Sequence, residues 1–178
     1  MPTTTYRIDK MHARIGFAVR HLVISTVRGH FNDFDAEVTG DEADPATARV
    51  TVSIRTASVD TGVPDRDNHL RSDDFFNAEQ YPEITFASTS VTPRGGSRWT
   101  LAGDLTIRDV TRPLELDCEV QGPVDTPMGR RFGVNAEATI DRLEYGLKYN
   151  PALETGGLVV GAEAKLSIEA EFVQATGS

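Results

Sequence analysis

Residues 58–86, SVDTGVPDRDNHLRSDDFFNAEQYPEITF, interrupt a chain that elsewhere alternates apolar and polar residues with the two-residue period of a β-strand. Pro64 suits the first position of a helix. Asp65 and Asp67 fall in the first turn and Arg71 near the end, which complements the helix macrodipole. The pattern predicts a short helix from Pro64 to Arg71. Asp73 and Asp74 then open a second turn that carries Phe75 and Phe76, two large aromatics in a segment too polar for a strand, which need a cavity or a sheet face to enter. Tyr81-Pro82 returns the chain to an extended path, and Glu83-Ile84-Thr85-Phe86 restarts the alternation. The stretch therefore reads as a helical cap over one mouth or face of a β-structure.

On the N-terminal side, Thr5 to Ile8 reads as a short strand. After Asp9-Lys10 comes a second strand in which Ala13, Ile15, Phe17 and Val19 share a face. His21 to Ile24 breaks the alternation as a helical turn, and a long strand follows from Thr26 to Thr39. Within it Val27, Gly29 and Phe31 share one phase and Phe34, Ala36 and Val38 the other, which requires a bulge at Asn32-Asp33. A turn cluster at 40–45 precedes Val50, Val52 and Ile54 on one face. On the C-terminal side, the strand from Ile84 runs to a hairpin turn at Pro93 to Ser97. Trp99, Leu101, Gly103, Leu105 and Ile107 then alternate with polar residues. A tight connection at Thr111 to Pro113 starts a strand with Leu114, Leu116, Cys118 and Val120 on its dry face. A turn from Gly122 to Gly129 leads to Phe132, Val134, Ala136, Ala138 and Ile140. Residues 141–157 form a second irregular segment, and a final strand runs from Leu158 to Phe172, about 50 Å at about 3.3 Å per residue.

Eight or nine antiparallel strands, each dry on one face, must stack as two sheets or close on themselves, and about eight strands make a closed barrel of lipocalin width. The fold class is all-β: an extended lipocalin-like antiparallel barrel with short helical caps, in one domain spanning residues 1–178. The dry faces carry many small residues: Ala13, Gly29, Ala36, Gly103, Ala136, Ala138, Ala162, Ala164 and Ala170. Two interiors fit this composition. Either the phenylalanines and leucines interdigitate with the alanines as a packed core, or the barrel is under-filled and takes a long apolar guest.

The single cysteine, Cys118, excludes an intrachain disulfide and a cysteine-rich zinc site, and its place on an apolar face suits a small core residue. The first residues show no apolar run of signal-peptide or membrane-spanning length, so the expected setting is cytoplasmic. A formal net charge of −9, a pI near 4.9 and scattered basic residues argue against nucleic-acid binding. They also leave at most transient contact with an anionic membrane.

Three stretches together carry a family resemblance: HLVISTVRGHF at 21–31, the block from Ser58 to Phe86, and GDLTIRDVTRPLEL at 103–116. With IDKMHARIGF at 8–17 and IDRLEYGL at 140–147, the chain resembles the YceI-like polyisoprenoid-binding proteins over nearly its whole length. The pattern is departed from at Asp109, where a glycine is usual, and at Lys10 to Ala13, and no periplasmic leader is seen. The resemblance implies a barrel with a long apolar tunnel for an isoprenoid chain, either a quinone tail or a polyprenyl phosphate. It also implies a homodimer, no catalysis and no cofactor beyond the lipid. The tail would then lie against Phe17, Val19, Phe31, Phe34, Val52, Ile54, Ile84, Phe86, Leu101 and Leu105. Later strands would add Phe132, Val134, Ala136, Val160, Ala162, Ala164 and Leu166, with Leu70, Phe75 and Phe76 from the cap and Leu147 from the second irregular segment. His21, Arg28, Arg66 and Arg71 are the polar groups placed to meet a head group at a barrel mouth.

Other chemistry finds little support. Asp65, Asp67 and His69 lie near one another on a helix, but dipole complementation already accounts for the carboxylates, so no metal is assigned. His12, His21 and His30 are nine residues apart and would alternate faces. No nucleophile sits on a sharp turn of the hydrolase kind. The alternatives to a carrier are a lipocalin-like hydrolase or isomerase using His69 or His21 as base, and a filled barrel that binds only protein.

Overall fold

The computed structural model describes residues 3–22, 24–149 and 160–175. Its framework is ten strands: β1 (Thr4–His21), β2 (Ser25–Phe31), β3 (Phe34–Asp41), β4 (Asp44–Arg55), β5 (Val59–Asp60), β6 (Glu83–Gly95), β7 (Arg98–Ile107), β8 (Val110–Thr126), β9 (Gly129–Asp141) and β10 (Val160–Gln174). One helix, α1 (Pro64–Arg71), stands in the excursion between β5 and β6. The strands run in the order β10-β9-β8-β7-β6-β4-β3-β1, and β1 pairs back onto β10, so the sheet closes. β2 and β3 share one edge of β1, β2 against its C-terminal half and β3 against its first residues. They therefore occupy a single position in the ring, and the barrel is eight-stranded and antiparallel.

The phase change at Asn32-Asp33 is where this composite strand divides. Its first part ends at Phe31 paired with Ile15, and its second begins at Phe34 paired with Ile54. The expected long strand is therefore two strands. The two strands expected at the N-terminus are one: β1 runs through, with a register irregularity between Ile8 and Ala13 that absorbs Asp9 to His12. The helical turn expected at His21 is a hairpin. His21 pairs with Ser25, and Leu22 takes a left-handed φ of 54°. β8 begins at Val110, so Thr111 to Pro113 lie within the strand, and the turn is Arg108-Asp109. Pro113 is tolerated because β9 pairs with β8 only from Asp117 onward, leaving that edge without a second ladder. β8 also continues to Thr126 past an irregularity between Gln121 and Val124, which shortens the expected 122–129 turn. The beginning of the last strand at Leu158 lies outside the described residues.

Strand direction sorts the connections onto two ends. The β1/β2 and β7/β8 hairpins, α1, the loop after it and the 3-10 turn Arg142–Tyr145 lie at one end, called here the helical end. The β3/β4, β6/β7 and β8/β9 hairpins lie at the far end.

The cap matches its sequence signals. α1 has Pro64 in its first turn with Asp65 and Asp67, and His69 and Arg71 in its last. Asp67 does more than complement the dipole. It is buried, and its Oδ1 accepts from the Thr61 amide at 2.8 Å and the Thr61 hydroxyl at 2.5 Å, closing the approach to the helix. Arg108, in the β7/β8 turn, donates to the carbonyl oxygens of Asp73 and Phe75 at 3.2 and 3.1 Å and so ties the Phe75-Phe76 loop to the barrel rim.

Not every small residue leaves space. A Cβ built on Gly103 would stand 2.5 Å from both the Ala87 carbonyl oxygen and Phe86 Cζ. On Gly29 it would stand 2.5 Å from Phe17 Cζ. Aromatic rings from neighbouring strands lie on these two glycines, whereas Ala36, Ala136 and Ala164 face open interior.

Candidate functional site

The closed sheet surrounds a cavity of about 800 Å³ whose lining runs from Tyr6 and Phe132 at the far end to His21 and Arg142 at the helical end. Such a volume lies in the upper part of the roughly 300–1,000 Å³ range of small-molecule sites. The wall is overwhelmingly aliphatic and aromatic because each strand presents its dry face inward, and the closed sheet pairs the barrel backbone laterally.

Nineteen of the twenty-one residues expected to meet a tail line this lumen. The strands give Phe17, Val19, Phe31, Val52, Ile54, Ile84, Phe86, Leu101 and Leu105, then Phe132, Val134, Ala136, Val160, Ala164 and Leu166. Leu70, Phe75, Phe76 and Leu147 also line it. Phe34 and Ala162 do not. Phe34 is buried in the core cluster, and Ala162 is half-buried on β10 beside the wall. Of the head-group candidates, His21 and Arg66 line the lumen at the helical end. Arg28 and Arg71 do not belong with them. Arg28 is on the outward phase of β2 and exposed. The Arg71 guanidinium is spent on the Ala57 carbonyl at 2.8 Å, Asn68 Oδ1 at 2.9 Å and the Val59 carbonyl at 3.2 Å, holding α1 to β5.

Aromatic rings close in on the helical end. Phe76 meets Phe31 edge-on at 5.9 Å, and Phe31 lies 5.6 Å from Phe17. Beside them His69 makes T-shaped contacts with Phe75 at 5.1 Å and Tyr149 at 4.6 Å, and its Nε2 stands 2.8 Å from Asp74 Oδ2. Arg66 donates from Nε to the Thr61 hydroxyl at 2.8 Å and from Nη2 to the Thr61 carbonyl at 3.0 Å.

Arg142 is the residue that sequence reasoning missed. It is only 4% exposed, and its guanidinium donates to the backbone carbonyls of Gly161, Leu147, Tyr149 and Val160. These bonds clamp the segment after the 3-10 turn onto the start of β10. Burial lowers its pKa, against an opposing effect from Asp141. The available signal was a lone arginine between the apolar end of β9 and Leu143.

At the far end Tyr6 packs edge-on against Phe132 at 4.9 Å, and Phe132 stacks on Phe172 at 5.0 Å. The Tyr6 hydroxyl donates to Glu42, which also accepts from Arg130 Nη2 at 3.1 Å. Burial, reinforced by the Glu42 carboxylate, pushes the Tyr6 phenol up to about 12, while Arg130 holds Glu42 below the usual carboxylate range. Cys118 lines the lumen, and desolvation pushes its thiol up to about 11, away from the thiolate that chemistry would need. Among the described residues, no group of three His, Cys, Asp or Glu side chains is placed to hold a metal ion.

An eight-stranded antiparallel barrel closed around an apolar lumen and capped by a short helix defines a lipocalin-like hollow barrel. More particularly, the chain belongs to the YceI-like family, whose domain model matches residues 6–172. It is 39% identical over 171 residues to a UPF0312 protein of Staphylococcus aureus strain N315, covering 95% of this chain and 97% of that one. A Campylobacter jejuni YceI protein superposes with a TM-score of 0.76 at 31% identity, covering 89% of this chain and 90% of that one. Two more distant structures share the fold. Burkholderia cenocepacia BcnA has a TM-score of 0.81 at 21% identity, covering 92% and 98%. A polyisoprenoid binding domain from Saccharophagus degradans has a TM-score of 0.71 at 16% identity, covering 96% and 98%.

Proposed function

We propose that the barrel holds the tail of a long-chain isoprenoid lipid, a prenyl quinone or a polyprenyl phosphate, as a carrier, buffer or store acting by reversible burial without bond chemistry. The observation that carries this reading is the lumen: about 800 Å³, walled by apolar side chains from every strand position of the ring. Burying on the order of 400 Å² of prenyl surface at about 25 cal/mol per Å² supplies roughly 10 kcal/mol before the costs of association. Membership of the YceI-like family supports the same reading, and the Saccharophagus domain described as polyisoprenoid binding has the same fold. The lumen-lining residues named above are the proposed tail contacts. A single domain, a homodimer, a cytoplasmic setting and transient contact with a membrane surface belong to this reading, carried by the sequence and the resemblance.

The rival enzymatic reading has one observation in its favour, the His69–Asp74 pair at 2.8 Å beside the lumen. Cys118 does not serve it as a nucleophile, since burial pushes its thiol up to about 11 and keeps it protonated at neutral pH. Titration of delipidated protein with a long-chain prenyl quinone, followed by the emission of Trp99 on the lumen wall, tests the carrier. Saturable binding that weakens as the tail is shortened is expected. Binding of the bare quinone ring as tightly as the full lipid would refute the tail as the recognised element.

A further inference from the structure

The barrel carries a second concavity, and this one faces outward. About 570 Å³ in volume, it lies across five consecutive strands of the ring, β2-β1-β10-β9-β8, where the outward side chains are small: Gly16 and Ala18 on β1 and Ser167 on β10. One row of the ladder runs His30, Gly16, Ser167, Glu137, Asp117, so register fixes what stands on each side of that floor. Exposed long side chains surround it: Arg14, Arg28 and Lys165, then Glu115, Asp117 and Glu137.

The charges are sorted across the strands. On the β1/β2 side the outward phase brings Arg14, Arg28 and His30 and no carboxylate. On the β8/β9 side it brings Glu115, Asp117, Glu119 and Glu137 and no base. Neighbouring opposite charges do not erase this order. Asp60 stands 3.9 Å from His30, Glu169 is opposite Arg14 in the β1/β10 register, and Arg98 is opposite Glu119 on β7. Lys165, on β10 between the two sides, shares its outward phase with Glu163 and Glu169. Among the described residues, Arg28, Lys165, Glu115, Asp117 and Glu137 make no salt bridge, and Arg14 reaches only the His30 ring at 3.4 Å. A two-fold interface presents one patch twice, so a face with unpaired charges of both signs on opposite sides is complementary to itself.

We propose that this face joins a second copy of the chain about a two-fold axis that runs parallel to the strands near β10. Such an axis exchanges the two sides of the face, so Arg14 and Arg28 of one copy lie toward the partner's Glu115, Asp117 and Glu137. An axis across the strands would instead lay each side on its own image, base on base and carboxylate on carboxylate. The charge order therefore selects the arrangement in which both helical ends, and both lumens, open in the same direction. The patch is about 20 Å across, five strands at about 4.8 Å spacing, which is small for a permanent dimer. The contact is expected to be reversible and to weaken as salt rises. This deepens the homodimer of the carrier reading and does not depend on the lipid.

Sedimentation velocity on the full chain tests the face with two charge-reversed proteins, Arg14→Glu with Arg28→Glu, and Glu115→Lys with Asp117→Lys. The native chain is expected to dimerise at low salt. Each variant alone is expected to associate at least about tenfold more weakly, and an equimolar mixture of the two to regain native association, since both of its contacts are again between opposite charges. That regain also shows both variants folded. A dimer that persists in either variant, or a mixture no tighter than its parts, overturns the face and leaves the homodimer standing. A native chain that stays monomeric at every concentration removes the homodimer itself, while prenyl-quinone titration of the same sample decides the lumen separately. The axis is tested by dipolar distance between nitroxides on Ile24→Cys, 83% exposed at the β1/β2 hairpin, in a Cys118→Ala background. Ile24 lies about 20 Å along the strands from Gly16 at about 3.3 Å per residue, so opposed copies place the labels about 40 Å apart and co-directional copies about 25 Å or less. The short distance is expected, and the long one overturns the axis.

Discussion

Placing a phenyl ring at position 164 separates a hollow barrel from a filled one. Ala164 is on β10, paired with Val19 on β1 and Ile140 on β9, 7% exposed, with its methyl group on the lumen wall. Ala164→Phe adds a ring whose bulk is about three times the ~30 Å³ share of a water molecule, against a cavity of about 800 Å³. If the interior were packed by its own side chains, overpacking costs about 1 to 3 kcal/mol. At about 2–4 °C per kcal/mol for a domain of this size, melting falls by about 2 to 12 °C. If the lumen is open, the ring enters it, melting of the delipidated protein stays within ~2 °C or rises, and lipid affinity drops at least ~10-fold because the ring occupies the tail's path. The assays are thermal unfolding by circular dichroism and a prenyl-quinone titration on the same preparation. A large fall in melting temperature with binding retained refutes the open lumen at this strand.

The rings over the glycines predict the opposite response: Gly103→Ala meets backbone as well as Phe86 at 2.5 Å, and urea unfolding should show a loss of about 1 to 3 kcal/mol. An unchanged midpoint would mean the β6/β7 ladder gives way easily. Asp9, held down to about 2 first by the Arg131 guanidinium at 2.8 Å and then by His12, stabilises the fold fully above its unfolded value of about 3.9 and loses that contribution as pH falls toward 2. Asp9→Asn should flatten the acid limb of a stability profile between about pH 4 and pH 2, and an identical limb in both proteins would remove the pair from the account. Cys118, its thiol raised to about 11 by burial, should resist a polar thiol reagent at neutral pH until the protein unfolds, and a bound lipid should also protect it from a small apolar reagent. Reaction at the rate of a free cysteine, with or without lipid, would place the thiol outside the lumen.

The parts of this molecule that were legible in its sequence are those set by local chemistry. α1 runs from Pro64 to Arg71 because the proline, the two aspartates and the terminal arginine act within a single helix. The inward phase of each strand followed from two-residue alternation, so most of the wall was visible. Boundaries that depend on a neighbouring strand were not: the continuity of β1 past Asp9 to His12 comes from its pairing with β10 and β3, and the place of Pro113 within β8 comes from an edge that β9 leaves unpaired. The head-group candidates divided for the same reason. Arg66 and Arg71 are five residues apart on one helix, yet only tertiary contacts decide that one lines the lumen and the other holds β5. Whether small residues leave a void was equally a matter of partners, since Gly29 and Gly103 are covered by rings while Ala164 is not.

The claim on which the rest depends is that the barrel holds a lipid. Native mass spectrometry of the freshly purified protein, with organic extraction of the same sample, tests it without assuming a ligand. The account predicts a non-covalent adduct of lipid mass that is lost on delipidation, is restored by an added long-chain prenyl lipid and fails to form in Ala164→Phe. A bare polypeptide mass before and after incubation with such lipids would contradict it.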